Sequence, residues 1–121
     1  MSHQRQPEDA AALEAIRSLL GAVLPTNPFY GRKYASVGCS ALPASLDDFR
    51  TRFPLTTKSE LVADQSAFPP YGSNLTFPLT AYTRCHQTSG THGAPLRWLD
   101  TSESWSAMTD AWVEVLTQAG V

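Results

Sequence analysis

The sequence predicts an α/β fold in which helices come first and part of a β-sheet follows, with a Ser/Thr/Gly loop between two strands. Three patterns support this prediction. Apolar residues recur with a helical period in the first half, two strand-like runs flank a hydroxyl- and glycine-rich stretch at 88–95, and an amphipathic pattern closes the chain. The 121 residues are 42% hydrophobic and 17% charged, which is typical of a folded domain and not of a disordered chain.

The first two helices are predicted from apolar spacing and from their end signals. Residues 13–24 place apolar side chains at three- and four-residue steps, and Pro25 ends this helix. Asn27 followed by proline begins a second helix that is expected to run to about Ala35, with Gly38 closing it.

Two shorter helical segments and an irregular connection come next. Ser45 is an N-cap candidate for a helix over residues 46–53, and residues 56–61 predict one more capped turn. The prolines and glycine between residues 68 and 79 interrupt every regular period, so a long irregular connection is expected there.

The last part of the chain predicts a pair of strands and a helix. Residues 81–87 and 96–99 are expected to form the strands. Asp100 with Glu103 predicts a capping-box start for the final helix, and Gly120 is expected to stop it. One face of that helix carries Trp105, Met108, Trp112, Leu116 and Ala119.

Charge and hydropathy patterning argue against several classes of partner. The net charge is −2 and no basic block occurs, so no nucleic-acid partner is expected. No apolar run approaches the roughly 20 residues of a membrane span, and the N-terminus is polar, so a cytoplasmic location and no membrane partner are expected. Cys39 and Cys85 are too few and too far apart for a disulfide framework and are expected to be reduced, half-buried thiols.

The stretch Thr88-Ser89-Gly90-Thr91-His92-Gly93-Ala94-Pro95 is the candidate site. Glycines let successive backbone N–H groups point to a common centre, and hydroxyls add neutral donors, so the composition suits a phosphate-binding loop. It is not a Walker A loop, because no Lys follows the second glycine and the exit is extended. An ordinary Ser/Gly turn remains the alternative on physical grounds.

The string Thr-Ser-Gly-Thr-x-Gly-x-Pro resembles the phosphate loop of the adenylate-forming superfamily, which includes acyl-CoA synthetases, luciferases and peptide-synthetase adenylation domains. Residues 84–91 are similar to the Arg-x-His-x-[Ser/Thr]-Ser-Gly-Thr motif of phenylacetate–CoA ligases, and residues 54–61 to their Pro-Phe-x-x-Lys-x-Asp/Glu-Leu element. Trp105, with residues 119–121, resembles the helix that follows the loop in that branch. The resemblance covers most of the chain after about residue 27.

This resemblance implies the N-terminal portion of the large domain of a ligase. Such an enzyme uses Mg·ATP to convert a small carboxylic acid, aryl or acyl, into an acyl-adenylate and pyrophosphate, and coenzyme A then displaces AMP. ATP, Mg²⁺ and coenzyme A are the implied cofactors, and the carboxylate is the implied small-molecule partner. By motif match, the residues that would bind the ATP phosphates are Thr88, Ser89, Gly90, Thr91 and Gly93.

Four further residues are candidate supports for the loop: Arg84, His86, His92 and Arg97. His92 stands where the family usually has Thr, and Ala94 where it commonly has Lys, so Arg97 would replace part of the missing charge. No metal site is expected, because the spacing of Cys85, His86 and His92 is not a zinc pattern.

The expected organisation is a leader and N-terminal helix over residues 1–26, then a partial AMP-binding domain over 27–121 that is truncated at its C-terminus. The family's groups for adenine, ribose, Mg²⁺ and the hinge, and its C-terminal catalytic Lys, would lie beyond this segment, so the chain alone is expected to be inactive. The alternative is a non-catalytic nucleotide-binding or interaction module derived from such an enzyme.

Overall fold

A computed structural model describes residues 5–89 and 95–121 of the chain. The chain divides into two compact units, Met1–Thr76 and Phe77–Val121. The elements within the described ranges are α1 (Arg5–Val23), α2 (Pro28–Ser36), α3 (Leu46–Arg52), α4 (Lys58–Ala67), a 3₁₀ turn (Leu79–Ala81), β1 (Tyr82–Gln87), β2 (Arg97–Thr101) and α5 (Ser102–Gln118). The α/β prediction, with helices first and two strands after them, is confirmed.

The starts of α2 and α3 follow the signals in the sequence, whereas α1 begins at Arg5, eight residues before the predicted start of the helix at residue 13. The Asn27 side chain accepts a hydrogen bond from the Tyr30 amide at the start of α2, and the Ser45 side chain accepts one from the Asp48 amide at the start of α3. Gly38 follows α2 with a φ of 77°, a left-handed conformation that glycine adopts without steric cost.

The fourth segment differs from the prediction in length. Residues 56–61 were expected to form a single capped turn, whereas α4 is a helix of 10 residues. It begins with a capping box in which Thr57 and Glu60 each accept the other's backbone N–H. Its far end is held by Asp64, a buried residue whose partner lies nine positions further along the chain, and local sequence patterns give no sign of that contact.

The core of the first unit is built from side chains of α1, α2 and α3, of the segment between α2 and α3, and of the residue that follows α3. Leu20, Tyr34, Cys39 and Phe53 form its buried cluster. The rings of Tyr34 and Phe53 pack edge to face with centroids 5.1 Å apart, a favoured aromatic geometry. Cys39 is buried and Cys85 is exposed, and both are free thiols, so neither is half-buried as the sequence predicted.

The irregular connection after α4 is held by buried polar contacts. The Asp64 carboxylate accepts hydrogen bonds from the Ser73 amide, at 2.7 Å, and from the Ser73 hydroxyl. Gly72 has a φ of 79°, and a Cβ atom there would lie 2.5 Å from Asp64 Oδ2. Asn27 Nδ2 donates to Asn74 Oδ1 at 2.9 Å, so the start of α2 is tied to the same connection.

An ion pair joins α2 to the start of α4. Lys33 Nζ donates to Glu60 Oε1 at 2.7 Å and to the Leu55 carbonyl oxygen at 2.6 Å. The Lys33 ammonium, followed by the Thr57 backbone N–H, lowers the pKa of Glu60 to about 2. The capping carboxylate is therefore held in its charged form by its partners.

The second unit is an antiparallel hairpin followed by α5. Cys85 pairs with Leu99, His86 with Trp98 and, at the loop end, Gln87 with Arg97. The register shifts by one residue between Tyr82 and Arg84, which is a β-bulge near the start of β1.

The predicted capping box of α5 is wrong by one position. The cap residue is Thr101, not Asp100, and its partner is Ser104, not Glu103. Asp100 is buried on β2 and accepts a hydrogen bond from the Ser104 hydroxyl at 2.9 Å. The strand extends one residue further than the acidic residue suggested, so Asp100 anchors the first turn of the helix from the strand.

The predicted apolar face of α5 is partly exposed. Trp112 is 58% exposed, and Met108 and Leu116 are 40% and 44% exposed. Trp105, in the first turns, is half-buried. None of the helices in the described ranges is both long enough and apolar enough to cross a membrane.

Candidate functional site

The candidate phosphate loop leaves the hairpin through a pair of hydrogen bonds between Thr88 and Leu96. The Thr88 amide donates to the Leu96 carbonyl oxygen at 2.9 Å. The Leu96 amide donates to the Thr88 side-chain oxygen, Oγ1, at 2.8 Å. These bonds close the base of the loop. Neither of them uses the hydroxyl hydrogen of Thr88, because Oγ1 is the acceptor.

Two of the predicted phosphate-binding residues come just before a gap in the described chain, and the other three fall within it. Thr88 and Ser89 follow β1 directly, are exposed and lie outside the strand, as a loop between strands requires. The remaining predicted phosphate-binding residues, together with the two that depart from the family pattern, lie outside the described residues: Gly90, Thr91, His92, Gly93 and Ala94. Their roles stay predictions.

Two of the predicted supporting residues contact one indole of α5. Arg84 and His86 are two residues apart on β1, so their side chains lie on the same face of the strand. The His86 ring stacks on the Trp105 ring with centroids 4.9 Å apart and planes 18° apart. The Arg84 guanidinium carbon lies 4.5 Å from the centroid of the Trp105 ring, within the range of a cation–π contact.

Sequence reasoning assigned Trp105, with Trp112, to the core, whereas Trp105 contacts polar side chains of β1 and Trp112 is 58% exposed. The helical period places Trp105 on the apolar face of α5 but gives no sign that it meets charged and polar side chains of β1. An alternating pair of long polar residues before the loop, followed by an aromatic residue in the first turns of the next helix, is the signal that could have indicated the contact. Arg97, the fourth predicted support, lies on β2 opposite Gln87, in the last paired position before the loop.

An open groove lies at the other end of β1. It has a volume of about 580 Å³ and is lined by Thr83, Arg84, Ser102, Trp105 and Ser106. Since Thr83 and Arg84 are at the start of the strand and Thr88 follows its end, the groove is separate from the base of the loop. In the part of the chain that the structure describes, no three His, Cys, Asp or Glu side chains form a group that could hold a metal ion.

Comparisons with known proteins connect this geometry to one class of enzyme. No family model matches the chain, and no curated protein matches it. Among solved structures, 2-hydroxyisobutyryl-CoA ligase in the postadenylation state with 2-HIB-AMP is similar, with a TM-score of 0.83 and 29% identity over 96% of this chain and 24% of that one. The same ligase with 2-HIB-AMP and CoA in the thioesterification state matches with a TM-score of 0.78 and 32% identity over 88% of this chain and 22% of that one.

An open conformation of the same ligase, again with 2-HIB-AMP and CoA, matches with a TM-score of 0.81 and 30% identity over 93% of this chain. The described fold therefore matches part of an adenylate-forming CoA ligase, and the chain fits that superfamily. The particular relatives are 2-hydroxyisobutyryl-CoA ligase structures, and the chain spans 22–26% of their length.

Proposed function

We propose that the chain forms part of an ATP-dependent ligase that activates a carboxylic acid as an acyl-adenylate and then transfers the acyl group to coenzyme A. The observation that carries the proposal is the similarity, at a TM-score of 0.83 over 96% of the chain, to a ligase bound to its acyl-AMP. The matched segment includes a hairpin that closes just where the phosphate-loop motif begins, at Thr88.

Within this proposal, the loop binds the β- and γ-phosphates of ATP through Thr88, Ser89, Gly90, Thr91 and Gly93. The structure supports the part played by Thr88, because its oxygen is occupied by the Leu96 amide and its hydrogen can be donated to a phosphate oxygen. A fixed hydroxyl donor needs little reorganisation when negative charge develops on the departing pyrophosphate, so it can stabilise the transition state.

The chemical step is attack by a substrate carboxylate oxygen on the α-phosphorus of ATP. The bond to the bridging oxygen breaks and pyrophosphate leaves; in the second step the thiol of coenzyme A attacks the acyl carbon and AMP leaves. Mg²⁺ would be held by the ATP phosphates and by oxygen ligands of the protein, which the resemblance places beyond this segment. His92 and Ala94 depart from the family pattern, and we propose that Arg97 supplies part of the charge that a Lys at position 94 would provide.

The substrate class follows from two sources that differ in detail. The motifs at 54–61 and 84–91 resemble those of phenylacetate–CoA ligases, which favours an aryl or aryl-acetic acid. The solved relatives act on 2-hydroxyisobutyrate according to their bound acyl-AMP, a short branched acid. We propose an aryl or short acyl acid as the substrate and a cytoplasmic location for the enzyme.

The test is carboxylate-dependent exchange of pyrophosphate into ATP, with phenylacetate, 2-hydroxyisobutyrate and a panel of aryl and short acyl acids. The protein is a chimera in which this chain replaces the matching quarter of 2-hydroxyisobutyryl-CoA ligase. Loss of one preorganised donor costs on the order of 10²-fold in rate, so Ser89→Ala and Thr91→Ala should slow exchange by about that factor. Ala94→Lys should lower the KM for ATP.

The matched control is Thr109→Ala, which removes an exposed hydroxyl of α5 that donates to the Ser106 carbonyl oxygen of its own helix. This variant should exchange pyrophosphate as fast as the parent chimera. If Ser89→Ala and Thr91→Ala also match the parent, the loop has no part in the mechanism. A chimera that binds ATP but exchanges with no acid would favour the alternative of a non-catalytic nucleotide-binding module.

A further inference from the structure

We infer that Trp105 is a positioning residue for the phosphate loop, and that it acts by fixing β1 against α5 through its contacts with Arg84 and His86. This inference rests on the proposed function for its consequence in catalysis. The structural part of the inference is that Trp105 of α5 stabilises the hydrogen bonds at the base of the loop, and it can be tested on the 121-residue chain.

The first step is that three connections join β1, β2 and α5 into a closed arrangement. The ladder from Arg84 to Gln87 holds β1 to β2. The capping box at Thr101, together with the bond from Ser104 to Asp100, holds the first turn of α5 to the end of β2. The contacts of Trp105 with β1 are the third connection and join α5 back to the strand that leads into the loop.

The second step is that this third connection is made by oriented contacts more than by burial. Arg84 and His86 are exposed and Trp105 is half-buried, so the gain from removing apolar surface from water is limited. A near-parallel imidazole–indole stack and a guanidinium over the same ring each have a preferred geometry. These two contacts therefore fix the position of β1 relative to α5.

The third step connects this position to the loop. His86 is two residues before Thr88, and the backbone between them is strand. Thr88 makes both bonds that close the base of the loop, to the amide and to the carbonyl oxygen of Leu96. If His86 no longer holds β1 against α5, the next contacts to weaken are the two hydrogen bonds between Thr88 and Leu96, which orient the Thr88 hydroxyl.

The experiment measures amide hydrogen exchange at Thr88 and Leu96 by NMR in the 121-residue chain and in three variants. Trp105→Leu removes the ring, Trp105→Phe keeps an aromatic surface, and Trp112→Leu removes an indole that is 58% exposed on the same helix. The stack and the cation–π contact together predict about tenfold faster exchange at both amides in Trp105→Leu. Trp105→Phe should stay within about threefold of the parent, and Trp112→Leu should match it.

Two results would overturn the inference: unchanged exchange at Thr88 and Leu96 in Trp105→Leu, or Trp105→Phe exchanging as fast as Trp105→Leu. Should Trp105→Leu fail to fold, His86→Ala, which removes the imidazole stacked on Trp105, takes its place and should exchange faster at both amides than Trp112→Leu. Equal exchange in these two variants would overturn the inference. In the ligase chimera, Trp105→Leu should lower kcat for pyrophosphate exchange and leave the KM for the carboxylic acid unchanged. Because the hydrogen-exchange arm requires no enzymatic activity, failure of the proposed function and failure of this inference give different results.

Discussion

Replacing Thr88 with Val exchanges the side-chain oxygen at the base of the loop for a methyl group. The two side chains are both β-branched and nearly equal in volume, so strand geometry and packing are preserved. What is lost is Oγ1, the atom to which the Leu96 amide donates at 2.8 Å. Thr88→Val therefore isolates the contribution of one hydrogen bond.

The magnitude follows from the surroundings of that bond. Leu96 is only 5% exposed, so its amide loses a partner in a place that water reaches poorly. Leaving a buried donor unsatisfied costs about 1–3 kcal/mol, and because Thr88 itself is exposed the lower part of this range applies, about 1–2 kcal/mol. Thr88→Ser keeps the acceptor oxygen and should lie within about 0.5 kcal/mol of the parent.

The assay is denaturant unfolding followed by tryptophan fluorescence. All three tryptophans lie in the unit Phe77–Val121, so the signal reports the hairpin and α5. The expected result is a lower midpoint for Thr88→Val at an unchanged slope, with Thr88→Ser near the parent. Equal midpoints for Val and the parent would refute the assignment of Thr88 as the residue that closes the loop.

Two further predictions concern the first unit. Gly72→Ala should destabilise that unit by about 2 kcal/mol or more in thermal unfolding, because φ is 79° and the new Cβ would lie 2.5 Å from Asp64 Oδ2. The control is Gly21→Ala in α1, which should be neutral or stabilising because a Cβ there would meet open space. Lys33→Met should raise the pKa of Glu60 from about 2 towards its ordinary value of 4.5, as followed by NMR titration of the carboxyl. Since the pKa of Glu60 is lower in the folded than in the unfolded chain, Glu60 adds stability above about pH 4.5 that is lost as the pH falls towards 2. Lys33→Met should lose less stability than the parent over that pH range. A Glu60 pKa that stays near 2 in the variant would contradict Lys33 as the cause of the low pKa.

Local signals in the sequence predicted the element order and most of the helix ends. Asn27 and Ser45 cap the helices that they were expected to cap, and Gly38 adopts the left-handed conformation that ends α2. These succeed because a cap is a contact between residues three or four apart, and its chemistry is visible in the residue types. The strands were found for a similar reason, as short β-prone runs on either side of a turn-rich stretch.

Contacts between residues far apart in the chain were not predictable in this way. Asp64 of α4 accepts a hydrogen bond from Ser73, nine residues further along the chain, and Trp105 contacts two residues of a strand that precedes the loop. The start of α5 was misplaced because Asp100 is as good a cap by residue type as Thr101, and only the strand pairing decides between them. In each case tertiary structure selects among local possibilities of similar energy.

The most direct test of the central claim compares the chain alone with the chain joined to the remaining three quarters of 2-hydroxyisobutyryl-CoA ligase. Adenylation requires the carboxylate, the α-phosphorus and Mg²⁺ to be aligned together, and a segment that covers 22–26% of the related chains supplies one part of that arrangement. Carboxylate-dependent ATP–pyrophosphate exchange should therefore be absent from the purified 121-residue chain and present in the joined protein. Robust exchange by the chain alone, or none by a correctly folded joined protein with any acid of the panel, would contradict the account.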